Sequence, residues 1–385
     1  MNEGQTGERM SAGASGKMRT GELEVRFADS IDIVKLRAML AAARERAGAP
    51  LERILTLNLV GIHFSDASWE KALIGLEAAS ALHPARIVGL IAIPGEEESV
   101  VTARVAVARP KGAAFFVERI VLRASGKSVR RLESALTELL VPEVPIVVSW
   151  GGRMEGALLK RALETADRFI VDSSTRPPSS LSEIDNLVGH GAPIGDLAWA
   201  RIFPWQCLAA EVLDIPNLRE HRGNIQTVKI TSAGPPGAEA MLLAGWFISR
   251  IRNVDVSIVV GPEPSPDSAP PPVSPQLEVS GSGGKVNVVP PAPQRLLVGQ
   301  IAALEFFAPP VTVALRREKN GILDAQVSGD DDGDVAHRLR LPAATPGSLL
   351  VQELKLLAGC DEVYASSLRE ASRFEASYRG SETPA

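Results

Sequence analysis

The segment GGRMEG, at 151–156, has residue types that come near to a phosphate-binding loop. It lies between a predicted strand at 144–150 and a predicted helix at 157–166, and Asp172 ends the next predicted strand. A dinucleotide-binding fold places its glycines and its ribose-binding acid in this arrangement. The glycines are not spaced as G-x-G-x-x-G, however, and no Lys-Ser or Lys-Thr pair follows. We therefore favour a loop that uses glycine for its backbone freedom.

Four residues around this loop form a candidate crevice: Trp150, Gly151, Asp172 and Ser173. They follow two predicted parallel strands, and ligands of open α/β sheets bind beyond the carboxyl ends of such strands. A nucleotide or a sugar phosphate would suit this position. Asp172 equally suits capping of the turn that follows it, which is the interpretation we prefer.

The stretch GDLAWARIFPWQC, at 195–207, holds two of the five tryptophans of the chain. Asp196 is placed to cap a helix over LAWARIF, and Pro204 predicts a break before a second helix. Arg201 lies off the apolar stripe of these helices, so we expect Arg201 and Asp196 to reach outward, toward a carboxylate or a partner surface. The stripe itself predicts core packing and comprises Trp199, Ile202, Trp205, Leu208 and Val212.

Other local patterns do not indicate catalysis or metal binding. The five histidines are scattered without metal-ligand spacing, and the sequence has no G-x-S-x-G segment. The acidic turn GDDDGD, at 329–334, lacks the glutamate that closes an EF-hand loop. The segment GSGGK, at 281–285, precedes a strand-like run and predicts a hairpin turn. We therefore expect no catalytic residue, no metal site and no cofactor.

Composition narrows the class of protein. The 385 residues carry a net charge of −5, and 45% are hydrophobic, which predicts a soluble globular protein of at least two domains. The acidic balance argues against a nucleic-acid partner. The chain has no apolar run long enough for a membrane span and no signal-peptide pattern at its start. Its two cysteines, Cys207 and Cys360, could form at most one bridge, and we expect a cytoplasmic protein with both thiols reduced.

Alternating strand and helix patterns predict an α/β domain over 23–260, with a mixed, largely parallel sheet and flanking helices. Strand-like runs at 100–108 and 115–123 are joined by the turn RPKG and predict an antiparallel hairpin. Two further strands, at 227–231 and 254–260, are expected to complete this domain.

A proline-rich linker is predicted over 261–275. A smaller α+β domain follows over 276–376, with an antiparallel sheet and one long helix at about 348–374. Residues 1–22 and 377–385 are predicted to be disordered tails.

Taken together, these segments resemble the glucose-6-phosphate dehydrogenase assembly protein family, OpcA. The family carries a G-D-L-x-W-x-R-x-x-P-W signature, which corresponds here to GDLAWARIFPW at 195–205. The other segments that carry the resemblance are TLNLV (56–60), HPARIV (83–88), ERI (118–120), LLVPEVPIVVSW (139–150), ADRFIVDSS (166–174), LLAGWFISR (242–250) and DEVYASSL (361–368). Two positions depart from the family pattern: Ser149-Trp150 stands where two aromatic residues are common, and Gln206 stands where arginine is usual.

The resemblance implies a non-catalytic accessory protein that binds a glucose-6-phosphate dehydrogenase oligomer and promotes its assembly or allosteric activation. That dehydrogenase is the NADP-dependent entry enzyme of the oxidative pentose phosphate pathway. The signature supplies the partner-binding candidates Asp196, Trp199, Arg201 and Trp205. These residues serve either the interface or the fold, and the resemblance leaves both possibilities open.

Two alternatives stay beside this interpretation. The chain is an enzyme or a sensor that binds a nucleotide or a sugar phosphate in the crevice near Trp150, Gly151 and Asp172, or it is a structural scaffold that leaves the kinetics of its partner unchanged.

Overall fold

The structure is a computed structural model that describes residues 22–27, 30–49, 55–110, 113–261, 297–318, 321–329, 335–341, 344–355 and 361–382. Several predicted features lie outside these ranges: the N-terminal tail up to residue 21, the proline-rich linker from residue 262 onward, the turn at 281–285, the acidic turn from residue 330 onward, and Cys360.

The first sheet has eight described strands: β1 (Leu23–Phe27), β2 (Leu57–His63), β3 (Ala85–Ile93), β4 (Val101–Ala108), β5 (Val117–Ser125), β6 (Ile146–Trp150), β7 (Arg168–Val171) and β8 (Ile194–Asp196). Their order across the sheet is β1-β4-β5-β3-β2-β6-β7-β8. The six strands from β5 to β8 in this order run parallel, whereas β4 is antiparallel to both β1 and β5. Most residues of the parallel strands are buried because both faces of the sheet are covered.

The helices of this layer are α1 (Ile33–Ala47), α2 (Asp66–Ser80), α3 (Leu132–Leu139), α4 (Ala157–Thr165), α5 (Ser180–Gly189) and α6 (Leu197–Leu213). Side chains of Asp32, Ser65 and Asp196 cap α1, α2 and α6 by accepting from backbone N–H groups of the first turn. Four elements of this layer were not predicted from the sequence: β1, α1, α5 and β8.

The second sheet has six described strands: β9 (Thr227–Ala233), β10 (Asp255–Gly261), β11 (Ile301–Ala308), β12 (Val311–Arg317), β13 (Ile322–Ser328) and β14 (Val335–Arg340). Their order is β10-β9-β11-β12-β13-β14, and only the β10–β9 pair is parallel. The remaining helices are α7 (Pro216–Arg219), α8 (Ala238–Arg250), α9 (Pro346–Leu354) and α10 (Glu362–Glu382).

The predicted fold class is confirmed: a mixed, largely parallel sheet with flanking helices is followed by a mainly antiparallel sheet with C-terminal helices. The antiparallel β4–β5 hairpin is also as predicted. The two strands expected to complete the first domain, however, lie in the second sheet, because β9 hydrogen-bonds to β10 on one side and to β11 on the other. This pairing joins segments on either side of the predicted linker, and such non-local contacts leave no local pattern in a sequence.

Two helix predictions need correction. The helix expected at 348–374 is two helices, α9 and α10, and α10 continues to Glu382, into the predicted tail. The two helices expected around Pro204 are the single helix α6, with the proline in its interior. An interior proline costs a helix roughly 3 kcal/mol. Packing outweighs this cost, because α6 buries Trp199 and Ile202 before the proline and Trp205 and Leu208 after it.

One cluster of buried apolar side chains extends from Val60 of β2 in the first sheet to Leu323 of β13 in the second. Trp199 and Trp205 belong to this cluster, with exposed fractions of 8% and 3%. The two sheets therefore share a core, and α6 lies within it. Within the described ranges, no helix combines the length and the apolar character of a membrane-crossing segment.

Candidate functional site at the carboxyl ends of the parallel strands

The order of the first sheet reverses between β2 and β6, since α2 leads from β2 to β3 on one side and β6 lies on the other. Open α/β sheets bind ligands at such a point. Here the ring of Phe64 packs edge-on against Trp150, with ring centroids 5.5 Å apart. Trp150 is buried, and its Nε1 donates to the carbonyl oxygen of Gly152 at 2.9 Å. A Cβ atom at Gly152 would collide with the Phe64 ring, so side chains already fill this crevice.

His63, at the end of β2, is the imidazole nearest to the crevice residue Gly151. Its Nδ1 lies 2.8 Å from Ser68 Oγ, and a Cβ atom at Gly151 would collide with its ring. Burial lowers the pKa of His63 to about 4, so the ring is neutral near pH 7. A neutral, enclosed imidazole is poorly placed to act as a general acid.

Asp172, which follows β7, is held by Arg201 of α6. Both oxygens of the carboxylate accept from the guanidinium, each at 2.7 Å, and Oδ1 also accepts from Ser174 Oγ at 2.6 Å. Burial alone would raise the pKa of Asp172, but the hydrogen bonds and charge of Arg201 bring it below its ordinary value. Asp172 is therefore an ionised partner of Arg201, and it caps the turn after β7 through the N–H of Ser174, as predicted.

A second carboxyl group, Glu239 in the first turn of α8, lies 3.9 Å from Arg201 Nε. Burial raises the pKa of Glu239 to about 7, and the positive charge of Arg201 only partly offsets this effect. Arg201 thus faces two carboxyl groups, one ionised and one that titrates near neutrality. The sequence signal for Glu239 is a single acid in a helix that is apolar on nearly every side.

We expect Glu239→Gln to change how stability depends on pH. Because the pKa of Glu239 is about 7 in the folded protein and 4.5 for an ordinary glutamate, folded molecules hold the proton more tightly than unfolded ones. The contribution of Glu239 to stability is therefore fully present below about pH 4.5 and is lost as the pH rises through 7. In denaturant unfolding, the Gln variant should gain about 2 kcal/mol relative to wild type between pH 5 and pH 8.

The matched control for this measurement is Glu70→Gln, since Glu70 is an exposed residue of α2. It should leave the difference from wild type constant over the same pH range. A constant difference for Glu239→Gln would show that the pKa of Glu239 is the same in the folded and the unfolded protein.

Asp196, at the end of β8, is completely buried, which corrects the expectation that it reaches outward. Its Oδ1 accepts from the backbone N–H groups of Ser173 (3.0 Å) and Ala198 (2.9 Å), and its Oδ2 accepts from Tyr364 Oη of α10 at 3.4 Å. Burial raises the pKa of Asp196. The carboxyl group joins the β7 turn, the start of α6 and helix α10.

Two further polar contacts extend this junction. Trp199 Nε1 donates to Asp361 Oδ2 at 3.1 Å, just before α10. Arg168, the first residue of β7, donates to Glu353 of α9 at 2.8 Å, and both side chains are at most 3% exposed. A lone arginine at the head of a buried strand is a sequence signal for such an ion pair, and our sequence analysis missed it.

The segments that carry the family resemblance contact one another in pairs. Asn58 of TLNLV exchanges two hydrogen bonds with the backbone of Val141 in LLVPEVPIVVSW. Arg86 of HPARIV donates to Glu118 of ERI at 2.6 and 2.8 Å. ADRFIVDSS meets GDLAWARIFPW through Asp172 and Arg201, and DEVYASSL meets it through Tyr364 and Asp361. These segments therefore build the interior of the fold.

Two family models match this chain, one in each part. Residues 76–187 match the family model described as the glucose-6-phosphate dehydrogenase subunit N-terminal domain, and residues 192–368 match the corresponding C-terminal domain. The chain belongs to the OpcA family. Residues 188–191 separate the two matches and lie shortly before β8 and α6.

Curated relatives of this OpcA-family protein include two that carry the name OpcA. The Synechocystis sp. protein is 32% identical over 190 residues, which are 47% of this chain and 40% of that protein. The Nostoc punctiforme protein is 31% identical over 183 residues, or 46% and 39% of the two chains. The matched region thus spans about two fifths of the length of each relative.

Among solved structures, apo levoglucosan dehydrogenase aligns with a TM-score of 0.46 and 12% identity, over 84% of this chain and 97% of that one. Similarity at this level carries no conclusion about activity.

The structure brings the predicted site residues together, but in a different arrangement from the one expected. Asp172 and Ser173, from the predicted crevice, bind Arg201 and Asp196, from the predicted partner surface. Arg201 is 14% exposed, so it reaches an internal carboxylate and not a free surface. Cys207 is a free, half-buried thiol whose pKa is raised by burial and by Glu211.

Proposed function

We propose that this OpcA-family protein is a non-catalytic accessory protein that binds glucose-6-phosphate dehydrogenase and promotes its assembly or allosteric activation in the cytoplasm. It would thereby support the oxidative pentose phosphate pathway. The observation that carries the proposal is the match of most of the chain to two models, each described as a domain of a glucose-6-phosphate dehydrogenase subunit.

The side chains at the carboxyl ends of the parallel strands support a binding role over a catalytic one. A general base or a nucleophile needs a side chain that is free to meet a substrate. The negative charge of Asp172 is balanced by the guanidinium of Arg201, to which both of its oxygens bind. His63 is enclosed and uncharged, and Trp150 fills the crevice. The alternative of an enzyme or sensor that uses the crevice near Trp150, Gly151 and Asp172 therefore gains no support from this geometry.

We propose that the signature residues promote binding of the dehydrogenase indirectly, through the position of α6. Asp196, Trp199, Arg201 and Trp205 hold α6 between the two sheets, and their side chains are largely enclosed. The outer face of the same helix carries Phe203, which is 50% exposed. In this proposal the signature fixes the position of α6, and the outer face of α6 contributes to the contact with the dehydrogenase.

An activator of this kind must bind the active form of the dehydrogenase more tightly than the inactive form. A coupling free energy of about 1–3 kcal/mol changes substrate affinity roughly 5–150-fold. We therefore expect the purified protein to lower the apparent KM of glucose-6-phosphate dehydrogenase for its sugar phosphate by a factor in that range. Steady-state kinetics and light scattering would report the KM and the oligomeric state of the dehydrogenase. If neither quantity changes at saturating protein, the proposal is wrong.

The contact surface is tested by Phe203→Asp, which places a charge on the exposed face of α6. This variant should weaken dehydrogenase activation at least about tenfold while leaving the melting temperature within a few degrees, because exposed positions contribute little to stability. Leu82→Asp is the matched control, since Leu82 is 60% exposed and lies just after α2. Equal activation by both variants would exclude the outer face of α6 from the contact.

A further inference from the structure

The described strands leave four sheet edges, which are formed by β1, β8, β10 and β14. An exposed edge presents unpaired backbone N–H and C=O groups, so proteins protect their edges with charge or keep them short. β1 and β14 each carry charged side chains, and β8 has only three residues. β10 differs from these three, because it has no charged residue from Val256 to Gly261.

The side chains near the free edge of β10, the side that faces away from β9, are apolar as well. Val259 and Val260 are 40% and 54% exposed. Leu297 and Val298, shortly before β11, are 59% and 60% exposed. An uncharged edge of β-branched residues is the kind that pairs with a further strand. β10 therefore offers both the backbone groups and the side chains that strand addition needs.

The chain leaves this sheet and returns to it at the same end of β10. The carbonyl oxygen of Gly261, the last residue of β10, accepts from the N–H of Gly234 at 3.4 Å. Gly299, just before β11, donates to the carbonyl oxygen of Ala233 at 2.7 Å. The 262–296 segment, which lies outside the described ranges, is therefore tethered at both ends beside the turn that follows β9. Such tethering gives the segment a high effective concentration at the free edge.

The sequence of 262–296 suits a segment that starts and finishes at one end of a sheet. Such a segment crosses the sheet an even number of times. The predicted hairpin turn GSGGK, at 281–285, is flanked by two strand-like runs, LEVS at 277–280 and VNVV at 286–289. Two runs joined by a short glycine-rich turn supply one outward and one returning strand.

We propose that the hairpin over 277–289 adds to the free edge of β10, with VNVV beside β10 and LEVS outermost. VNVV is uncharged, as β10 is from Val256 onward, so their contact opposes no like charges. Glu278 of LEVS then gives the new outer edge the charge that β10 lacks. The competing occupants, a second copy of the chain and the dehydrogenase, are not tethered beside this edge. The inference is independent of dehydrogenase binding, since only this chain takes part.

The test is hydrogen exchange of the purified full chain, followed by mass spectrometry. In the wild type, the amides of 286–289 and of β10 should exchange at least about tenfold more slowly than those of an unstructured chain, because they are hydrogen-bonded. Val288→Asp places a charge in the added strand and should abolish the protection of 286–289 and reduce that of β10, while β9 and β11 stay protected. The matched control is Val273→Asp in the proline-rich linker, which should exchange like wild type.

Three results would overturn this assignment of the β10 edge. The first is exchange of 286–289 in the wild type at the rate of an unstructured chain. The second is equal protection of β10 in Val288→Asp and in wild type. The third is protection of β10 that rises with protein concentration, which would assign the edge to a second copy of the chain.

Discussion

Arg201→Ala should destabilise the protein by about 3–5 kcal/mol, since removing one member of a buried ion pair leaves the other charge uncompensated. Arg201 holds both oxygens of Asp172 and lies beside Glu239, so two carboxyl groups would lose their counter-charge. An outward-facing arginine, as the sequence analysis expected, would give a change close to zero. Urea unfolding followed by circular dichroism distinguishes the two cases.

The second variant in this experiment is Asp172→Ala, combined with Arg201→Ala in a double-mutant cycle. If the pair is a coupled unit, the double variant should lose clearly less stability than the two single losses combined. Simple additivity would show that the Asp172–Arg201 contact contributes nothing of its own. Arg201→Ala should also reduce dehydrogenase activation at temperatures where the variant begins to unfold, and only there.

Gly245→Val should cost more than about 3 kcal/mol, because it forces two helices apart. Gly245 of α8 packs against α10, where a Cβ atom would collide with the carbonyl oxygen of Ser367 and lie 2.6 Å from the amide nitrogen of Ala371. Both obstacles are backbone atoms, so a side-chain rotation cannot relieve them. Thermal unfolding and limited proteolysis of α10 would measure the loss.

Gly189→Ala is the matched control for this change. Gly189 is the last residue of α5, and a Cβ atom built there has no heavy atom within 4 Å. Alanine is favoured over glycine in a helix by up to about 1 kcal/mol, so this variant should be as stable as wild type or more so. Similar melting temperatures for Gly245→Val and wild type would mean that α8 and α10 separate without cost.

The sequence predicted well those features that depend on neighbours along the chain. The apolar run of β3 has the predicted bounds, 85–93, and the carboxylate of Asp196 caps α6. These features follow from strand and helix patterns and from the short reach of a capping side chain.

Features that depend on distant partners were not predictable in the same way. The sequence places Arg201 off the apolar stripe, but it does not show that Asp172 lies opposite, because their contact depends on how α6 crosses the end of β7. Pro204 signals a break, and only the packing around Trp199 and Trp205 shows that the helix continues. The pairing of β9 with β11 likewise joins segments that the predicted linker separates.

The contacts made by α10 and by Asp361 just before it limit when the first half of the protein can finish folding during translation. β8 and the start of α6 are synthesised first. Asp361, which accepts from Trp199, follows that residue by 162 positions, and Tyr364, which donates to Asp196, follows that residue by 168 positions. Until those residues emerge, the Asp196 carboxyl lacks its bond from Tyr364 and the Trp199 indole lacks its acceptor Asp361. Completion of the first half of the protein therefore waits for Asp361 and Tyr364, even though its strands are made first.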